Sequence, residues 1–214
     1  MSLGWLFELM GTWPERTAIV WDERPTSYSQ LLDRVEELSR FLDEQGVPRG
    51  RVVALQADFS PTTVALMLAL IERAAILVPL GQSGLAGSAN LMGIAEVETV
   101  VTVDERDECS IEHRDGRVEN PLTRKLIEDG RPGLVLFTSG STGTSKAALH
   151  DLAALLEKFR VQRHRLTVMT FLLLDHIGGI NTLFYALSNG GTVVSIRSRD
   201  PEAVCAAVER HRVE

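Results

Sequence analysis

Residues 134–137 read Leu-Val-Leu-Phe, and the apolar run stops at Thr138. Thr138, Ser139, Gly140, Ser141, Thr142, Gly143, Thr144 and Ser145 follow, closed by Lys146, before an apolar pattern resumes at Ala147, Ala148 and Leu149. A short apolar run bounded in this way reads as a buried strand. A flexible Ser/Gly linker would not sit between two apolar strands. Glycine lets successive N–H groups point at one anion, the hydroxyls add donors, and the lysine brings a mobile positive charge. That combination suits a polyphosphate. The Walker A pattern, G-x-x-x-x-G-K-[ST], fails twice when counted from Gly140, because Ser145 stands where glycine is required and Ala147 where Ser or Thr is required.

The rest of the chain alternates helix and strand signals around this loop. Helices are expected over 5–13, from Ser27 and Tyr28 to Gly46, over 60–75, 88–95, 121–128, 151–164 and 176–189, and from Asp200-Pro201 to about 211. The second of these buries Leu31, Leu32, Val35, Leu38, Phe41 and Leu42 on one face. Ser60-Pro61 supplies an N-cap and a first-turn proline. Strands are expected over 18–21, 51–57, 76–80, 99–103, 134–137, briefly after Lys146 as far as His150, and over 166–174 and 192–196, with another beginning at Val213. A glycine-rich turn falls at 81–87, and residues 110–119, centred on Asp115-Gly116, read as a β-hairpin. Alternation of this kind implies an α/β fold with mostly parallel β-sheets flanked by helices.

Composition narrows the function. The 214 residues suffice for one sizeable core or two small ones, and 44% hydrophobic with 24% charged residues is an ordinary globular balance. A formal net charge of −7 argues against a nucleic-acid binder, and the longest apolar stretch, 64–71, is too short for a membrane span. The first ten residues carry Glu8 and no basic segment, unlike a secretory signal. Two cysteines make neither a disulfide framework nor a metal cluster. Cys205, among alanines, is expected to be buried, and a reducing cytoplasmic setting is the default.

Thr138 to Lys146 resembles the phosphate loop of the adenylate-forming (AMP-binding) enzymes, Thr-Ser-Gly-Ser-Thr-Gly-x-Pro-Lys, at every specified position except Ser145, where proline is usual. That group includes acyl-CoA synthetases, peptide-synthetase adenylation domains and luciferases. Weaker similarities flank the loop in the same order. Residues 27–56 resemble the family's opening segment, with Arg51 where an acidic residue is usual. Residues 72–80 resemble its Ala-Gly-Ala-x-x-Val-Pro-Leu segment, and 173–191 its Pro-Leu-Phe-His-x-x-Gly segment, anchored on His176, Gly179 and Gly191. The resemblance implies part of the large N-terminal domain, with 1–214 an incomplete domain lacking its C-terminal half and the C-terminal lid with its catalytic lysine. No match appears to the Tyr-Gly-x-Thr-Glu segment, whose acidic residue is a magnesium ligand in the family, or to the later Thr-Gly-Asp segment that holds the ribose.

The same resemblance implies an AMP-forming acid–thiol ligase of acyl-CoA synthetase type, of the kind found in fatty acid metabolism. Its substrates would be ATP, a small carboxylic acid and coenzyme A, with Mg2+ held mostly outside this chain. Thr138, Ser139, Gly140, Ser141, Thr142, Gly143 and Lys146 would hold the β- and γ-phosphates. His176 would lie beside the acyl pocket as the catalytic candidate, with Asp175 capping its helix as the structural alternative. Ile177 follows His176 where amino-acid-activating relatives place an ammonium-binding Asp, which favours a plain alkyl or aryl acid. His150 is equally a scaffold or a site residue, and His113, His164 and His211 are expected at the surface. Asp104, Glu105, Asp107 and Glu108 read as a solvated loop. The chain alone is expected to be inactive, and a bare sheet edge would open a route to a homo-oligomer. Two rivals stand beside the ligase: a nucleotide- or partner-binding module without catalysis, and an adenylation domain loading a carrier protein.

Overall fold

The computed structural model describes residues 3–81, 88–138, 146–198 and 200–214. The chain opens with α1 (Gly4–Gly11), β1 (Thr17–Trp21), β2 (Arg24–Ser27), α2 (Tyr28–Glu44), β3 (Val52–Gln56), α3 (Pro61–Glu72) and β4 (Ile76–Leu80). It continues through α4 (Ser88–Ile94), β5 (Thr99–Val103), β6 (Cys109–His113), α5 (Pro121–Glu128), β7 (Gly133–Thr138) and β8 (Lys146–Asp151). A short helix α6 (Leu152–Leu156) and a 3-10 turn at Glu157–Arg160 then lead to β9 (Thr167–Met169), α7 (Ile177–Ser188), β10 (Thr192–Ser195) and α8 (Pro201–His211). The glycine-rich turn expected at 81–87 lies outside the described residues beyond Gly81.

Six strands form one sheet in the order β6-β5-β3-β4-β7-β8 and four form another in the order β2-β1-β10-β9. The pairings β3–β4, β3–β5, β4–β7, β1–β10 and β10–β9 are parallel, whereas β5–β6, β7–β8 and β1–β2 are antiparallel. The expected mostly parallel α/β architecture is therefore present, with antiparallel strands at three of the sheet margins.

Burial explains why two sheets are needed. Every residue of β3 and β4 is buried, as strands covered on both faces must be. Val53, Leu55, Leu77, Val101 and Leu134 point into one large core with α1, α2, α3, α7 and the inner residues Ile19 and Val193 of the four-stranded sheet. Val52, Ala54, Ile76, Val78, Val100 and Val135 point the other way, against α4 and α5. Val20, Met169 and Val194 use the far face of the small sheet to cover Ala207 of α8. The layers run helix, sheet, helix, sheet, helix. α3 lies in the middle layer, which is why residues 61–71 are buried on every side.

Local signals set most boundaries. Ser27 caps α2 through a reciprocal capping box with Gln30, and Ser60 Oγ accepts the Thr63 amide at 3.1 Å ahead of Pro61. Gly46 ends α2 with φ +68° while the Val47 amide returns to the Leu42 carbonyl at 2.9 Å. Asp200 occupies the N-cap of α8, but its side chain makes no capping bond.

Several expectations change. The hairpin centred on Asp115-Gly116 is instead β5–β6, with its turn at 104–108, because Val103 pairs with Cys109 and Thr99 with His113. α3 stops at Glu72, three residues early, since helix and following strand are both buried and hydropathy does not separate them. The strand expected over 166–174 shrinks to Thr167–Met169, and the helix over 151–164 to α6 and its 3-10 turn. β2 passed unnoticed because its two exposed residues, Arg24 and Pro25, hide its pairing with β1. Cys205 is exposed rather than buried, because α8 covers only one face of the small sheet.

Candidate active site at the carboxyl edge of the sheets

Parallel strands bring their carboxyl ends to one edge, where α/β folds bind ligands. β7 leaves the six-stranded sheet at that edge and β8 returns antiparallel to it, in unbroken register from Gly133↔Asp151 to Thr138↔Lys146. The two ends of the phosphate loop are thus direct partners across a ladder, both exposed. Ser139, Gly140, Ser141, Thr142 and Gly143 lie outside the described residues. The hairpin's mouth is set by buried apolar packing, as Leu134, Val135 and Leu136 are at most 7% exposed.

His176 comes to the same edge from the four-stranded sheet. Counting the β4–β7 register onward from Ile76↔Gly133 brings Gly81 level with Thr138. A Cβ on Gly81 would stand 3.1 Å from Asp175 Oδ2 and 3.3 Å from Leu173 Cδ1, so the segment before α7 packs on the end of β4. His176 itself is the N-cap of α7, not Asp175, and it offers no side-chain capping bond. Its side chain is 63% exposed, and its Nε2 lies 3.8 Å from Asp175 Oδ1, too far for a hydrogen bond. Asp175 Oδ1 is buried without a partner among the described residues. The capping role considered for Asp175 is therefore absent, and the carboxylate lies beside the imidazole instead.

The approach of α7 depends on Gly179, where a Cβ would collide with the Leu172 and Leu173 carbonyl oxygens. Flanking His176 in sequence, Phe171, Leu172 and Ile177 are 53%, 52% and 40% exposed. Exposed apolar side chains suit an uncharged acyl or aryl group better than a charged one.

A cleft of about 330 Å³ opens where the same edge meets both sheets, lined by Trp21, Phe59, Ser60, Val103, Thr170 and Arg197 among others. Ser195 Oγ donates to the Phe59 carbonyl at 2.9 Å and closes its floor between the sheets. The Arg197 guanidinium stands 4.8 Å from the Trp21 ring centroid and 3.3 Å from Asp22. Sequence reasoning missed Trp21 and Arg197. Both follow strand ends, and their meeting depends on the β1–β10 pairing, which no local pattern announces.

The remaining candidates fall mostly away from this edge. His150 is half-buried on β8 opposite Leu134, a scaffold position within the sheet. Within the acidic cluster, Asp104 Oδ1 accepts the Arg106 and Glu108 amides at 2.9 Å each, folding the hairpin turn. Asp107 departs from the solvated-loop expectation, since its carboxylate accepts the Thr62 amide in the first turn of α3 at 3.2 Å. His113 and His164 are exposed as expected, but the His211 side chain is only 17% exposed and lies 3.3 Å from Glu23. Among the described residues no three His, Cys, Asp or Glu side chains gather as metal ligands. No helix of the described residues is long and apolar enough to cross a membrane.

Known proteins share the sequence pattern and the fold. The indoleacetate–CoA ligase of Aromatoleum aromaticum is 30% identical over 243 residues, a match covering 98% of this chain and 48% of the ligase. Bacitracin synthase 3 of Bacillus licheniformis is 24% identical over 88% of this chain and 3% of its own length. The chain thus spans about half the length of the CoA ligase and a small fraction of the synthase. Among solved structures, the N-terminal subdomain of Klebsiella oxytoca NpsA in complex with 3-hydroxybenzoyl-AMSN superposes with a TM-score of 0.79 at 20% identity, covering 98% of this chain and 57% of that one. The luciferase-like enzyme of the mealworm Zophobas morio gives 0.76 at 18% identity, covering 100% and 58%. At those identities the superpositions carry the fold. The model of the AMP-binding enzyme family matches residues 6–214, and with the loop signature and the two-sheet fold in place, the chain belongs to that adenylate-forming family.

Proposed function

We propose that this chain is the phosphate-loop half of an ATP-dependent, AMP-forming carboxylate–CoA ligase, its incomplete N-terminal domain. The observation that carries the proposal is the β7–β8 hairpin, whose Thr138 and Lys146 ends are paired at the carboxyl edge around a nine-residue family signature. In this account the substrate carboxylate attacks the α-phosphorus of ATP. The bond from that phosphorus to the bridging oxygen breaks, and pyrophosphate leaves with the electron pair. Hydroxyls and amides of Thr138, Ser139, Gly140, Ser141, Thr142 and Gly143, together with the Lys146 ammonium, oppose the charge that builds on the leaving phosphates. His176, flanked in sequence by Phe171, Leu172 and Ile177, stands beside the acyl group. Among the described residues no cluster of carboxylates or imidazoles would hold the Mg2+ that the family implies.

Coenzyme A is the preferred acceptor because of the 30% identity to the indoleacetate–CoA ligase over 98% of this chain. Loading of a carrier protein is a second reading, favoured by the similarity to bacitracin synthase 3 and to NpsA. The test uses the whole polypeptide that carries this chain, supplied with ATP and a panel of alkyl and aryl acids. AMP and pyrophosphate are expected, with a thioester to coenzyme A. ADP and phosphate as products would overturn the adenylation mechanism. A thioester formed only on a phosphopantetheinyl carrier would move the assignment to the second reading.

A further inference from the structure

The amino edge of the six-stranded sheet, opposite the phosphate loop, carries a concavity of about 380 Å³, within the size range of small-molecule sites. It lies between the turn before β3, the segment after β6 and the last turns of α5. Four arginines line it, Arg49, Arg51, Arg117 and Arg124, against two glutamates, Glu98 and Glu128. The chain as a whole carries a net charge of −7, so this local excess of positive charge runs against its composition.

The two carboxylates do not neutralise the four cations. Glu98, with a side chain only 10% exposed, is spent on Arg51 Nη1 at 2.7 Å and on the Val52 amide at 3.1 Å. Glu128 makes no ion pair with Arg124 one turn earlier, the less favourable order for such a helical pair. Among the described residues Arg49, Arg117 and Arg124 have no anionic partner, and Arg51, though paired with Glu98, keeps its Nε buried without a hydrogen bond. Like charges gathered in one concavity repel one another, and a bound anion would relieve them.

The walls are also fixed in advance. The segment bearing Arg117 is pinned on both sides: the Arg114 amide donates to the Glu98 carbonyl at 2.9 Å, and the Glu96 carboxylate accepts the Glu119 and Asn120 amides at 3.0 Å. Gly116 packs directly on the backbone ahead of β5, where a Cβ would stand 3.0 Å from the Val97 carbonyl oxygen. Planar guanidinium forks suit phosphoryl oxygens, which accept in pairs, and several arginines around one concavity suit more than one phosphoryl group. We propose that this arginine pocket binds a small anion carrying at least two phosphoryl groups, at a site separate from the phosphate loop and independent of the ligase assignment.

The test titrates inorganic pyrophosphate into the chain carrying Lys146→Ala, which removes the loop's own cation, and follows the heat of binding. A Kd for pyrophosphate tighter than that for inorganic phosphate is expected. Arg117→Gln with Arg124→Gln, both at exposed positions, should weaken pyrophosphate about tenfold or more. Arg24→Gln with Arg40→Gln, exposed but outside the pocket, should leave the Kd unchanged. Absence of binding, equal affinity for phosphate and pyrophosphate, or equal weakening by the two pairs of substitutions would each overturn the proposal.

Discussion

Tyr28 Oη donates to the Gly191 carbonyl at 2.8 Å across 163 positions of sequence, tying the first turn of α2 to the residue that feeds β10. The phenol is fully buried, and burial pushes its pKa well above the ordinary tyrosine value, so it stays a neutral donor. Trp13 packs edge-on against the same ring, with centroids 5.8 Å apart. The hydroxyl thus joins α2 to the start of β10 and, at 3.3 Å, to the Ala186 carbonyl of α7.

Removing that hydroxyl while keeping the ring isolates its contribution. Tyr28→Phe leaves the Gly191 carbonyl buried without its phenolic donor and is expected to cost about 1–3 kcal/mol. Urea unfolding should show a lower midpoint at unchanged slope. An unchanged midpoint would mean that the sheet is held without this bond.

Asp43 and Arg73 give a pH signature with a definite sign. The hydrogen bond from Arg73 Nη2, 2.6 Å long, holds the Asp43 carboxyl below its ordinary value, only partly opposed by desolvation. A carboxylate depressed in the folded state stabilises above its unfolded pKa, and the contribution disappears as pH falls through the folded value. Asp43→Asn should therefore lower Tm at neutral pH, and its gap to the parent protein should close on acidification below the ordinary carboxylate range. Asp43 is exposed, so the gap is expected to be small and to shrink in salt. A gap independent of pH would contradict the pairing.

The two cysteines should separate by reactivity. Burial pushes the Cys109 thiol up, whereas Cys205 on α8 is exposed. Iodoacetamide near pH 8 is expected to label Cys205 well before Cys109, as peptide mass mapping would show. Equal labelling would mean that β6 opens readily from β5.

Sequence carried the fold as far as local physics reaches. Ser27, Gly46, Ser60-Pro61 and Pro201 each mark a boundary by a backbone requirement that does not depend on distant neighbours. The buried run through α3 and β4 was legible as a helix followed by a strand, but the point where the helix ends was not, because residues covered on every side lose the periodicity that would mark it. The β5–β6 turn hid behind an Asp-Gly pair placed later, while its own geometry came from Asp104 accepting two backbone amides. At the site, the Thr138 to Lys146 signature and His176 could be found because each is contiguous in sequence. The Trp21–Arg197 stack and the arginine pocket join segments far apart in sequence, and only the strand order brings them together.

The hairpin between β7 and β8 is the centre of the account, and Lys146 is the position at which it can be tested with least disturbance, since the side chain is exposed and lies at the end of a ladder. The most direct measurement is ATP–pyrophosphate exchange by the whole polypeptide carrying this chain, compared with its Lys146→Ala variant. Loss of a charge-assisted contact to the leaving phosphates is expected to lower kcat/KM about a hundredfold, with Tm unchanged. Exchange at the parent rate in the variant would contradict the assignment of this loop to the triphosphate.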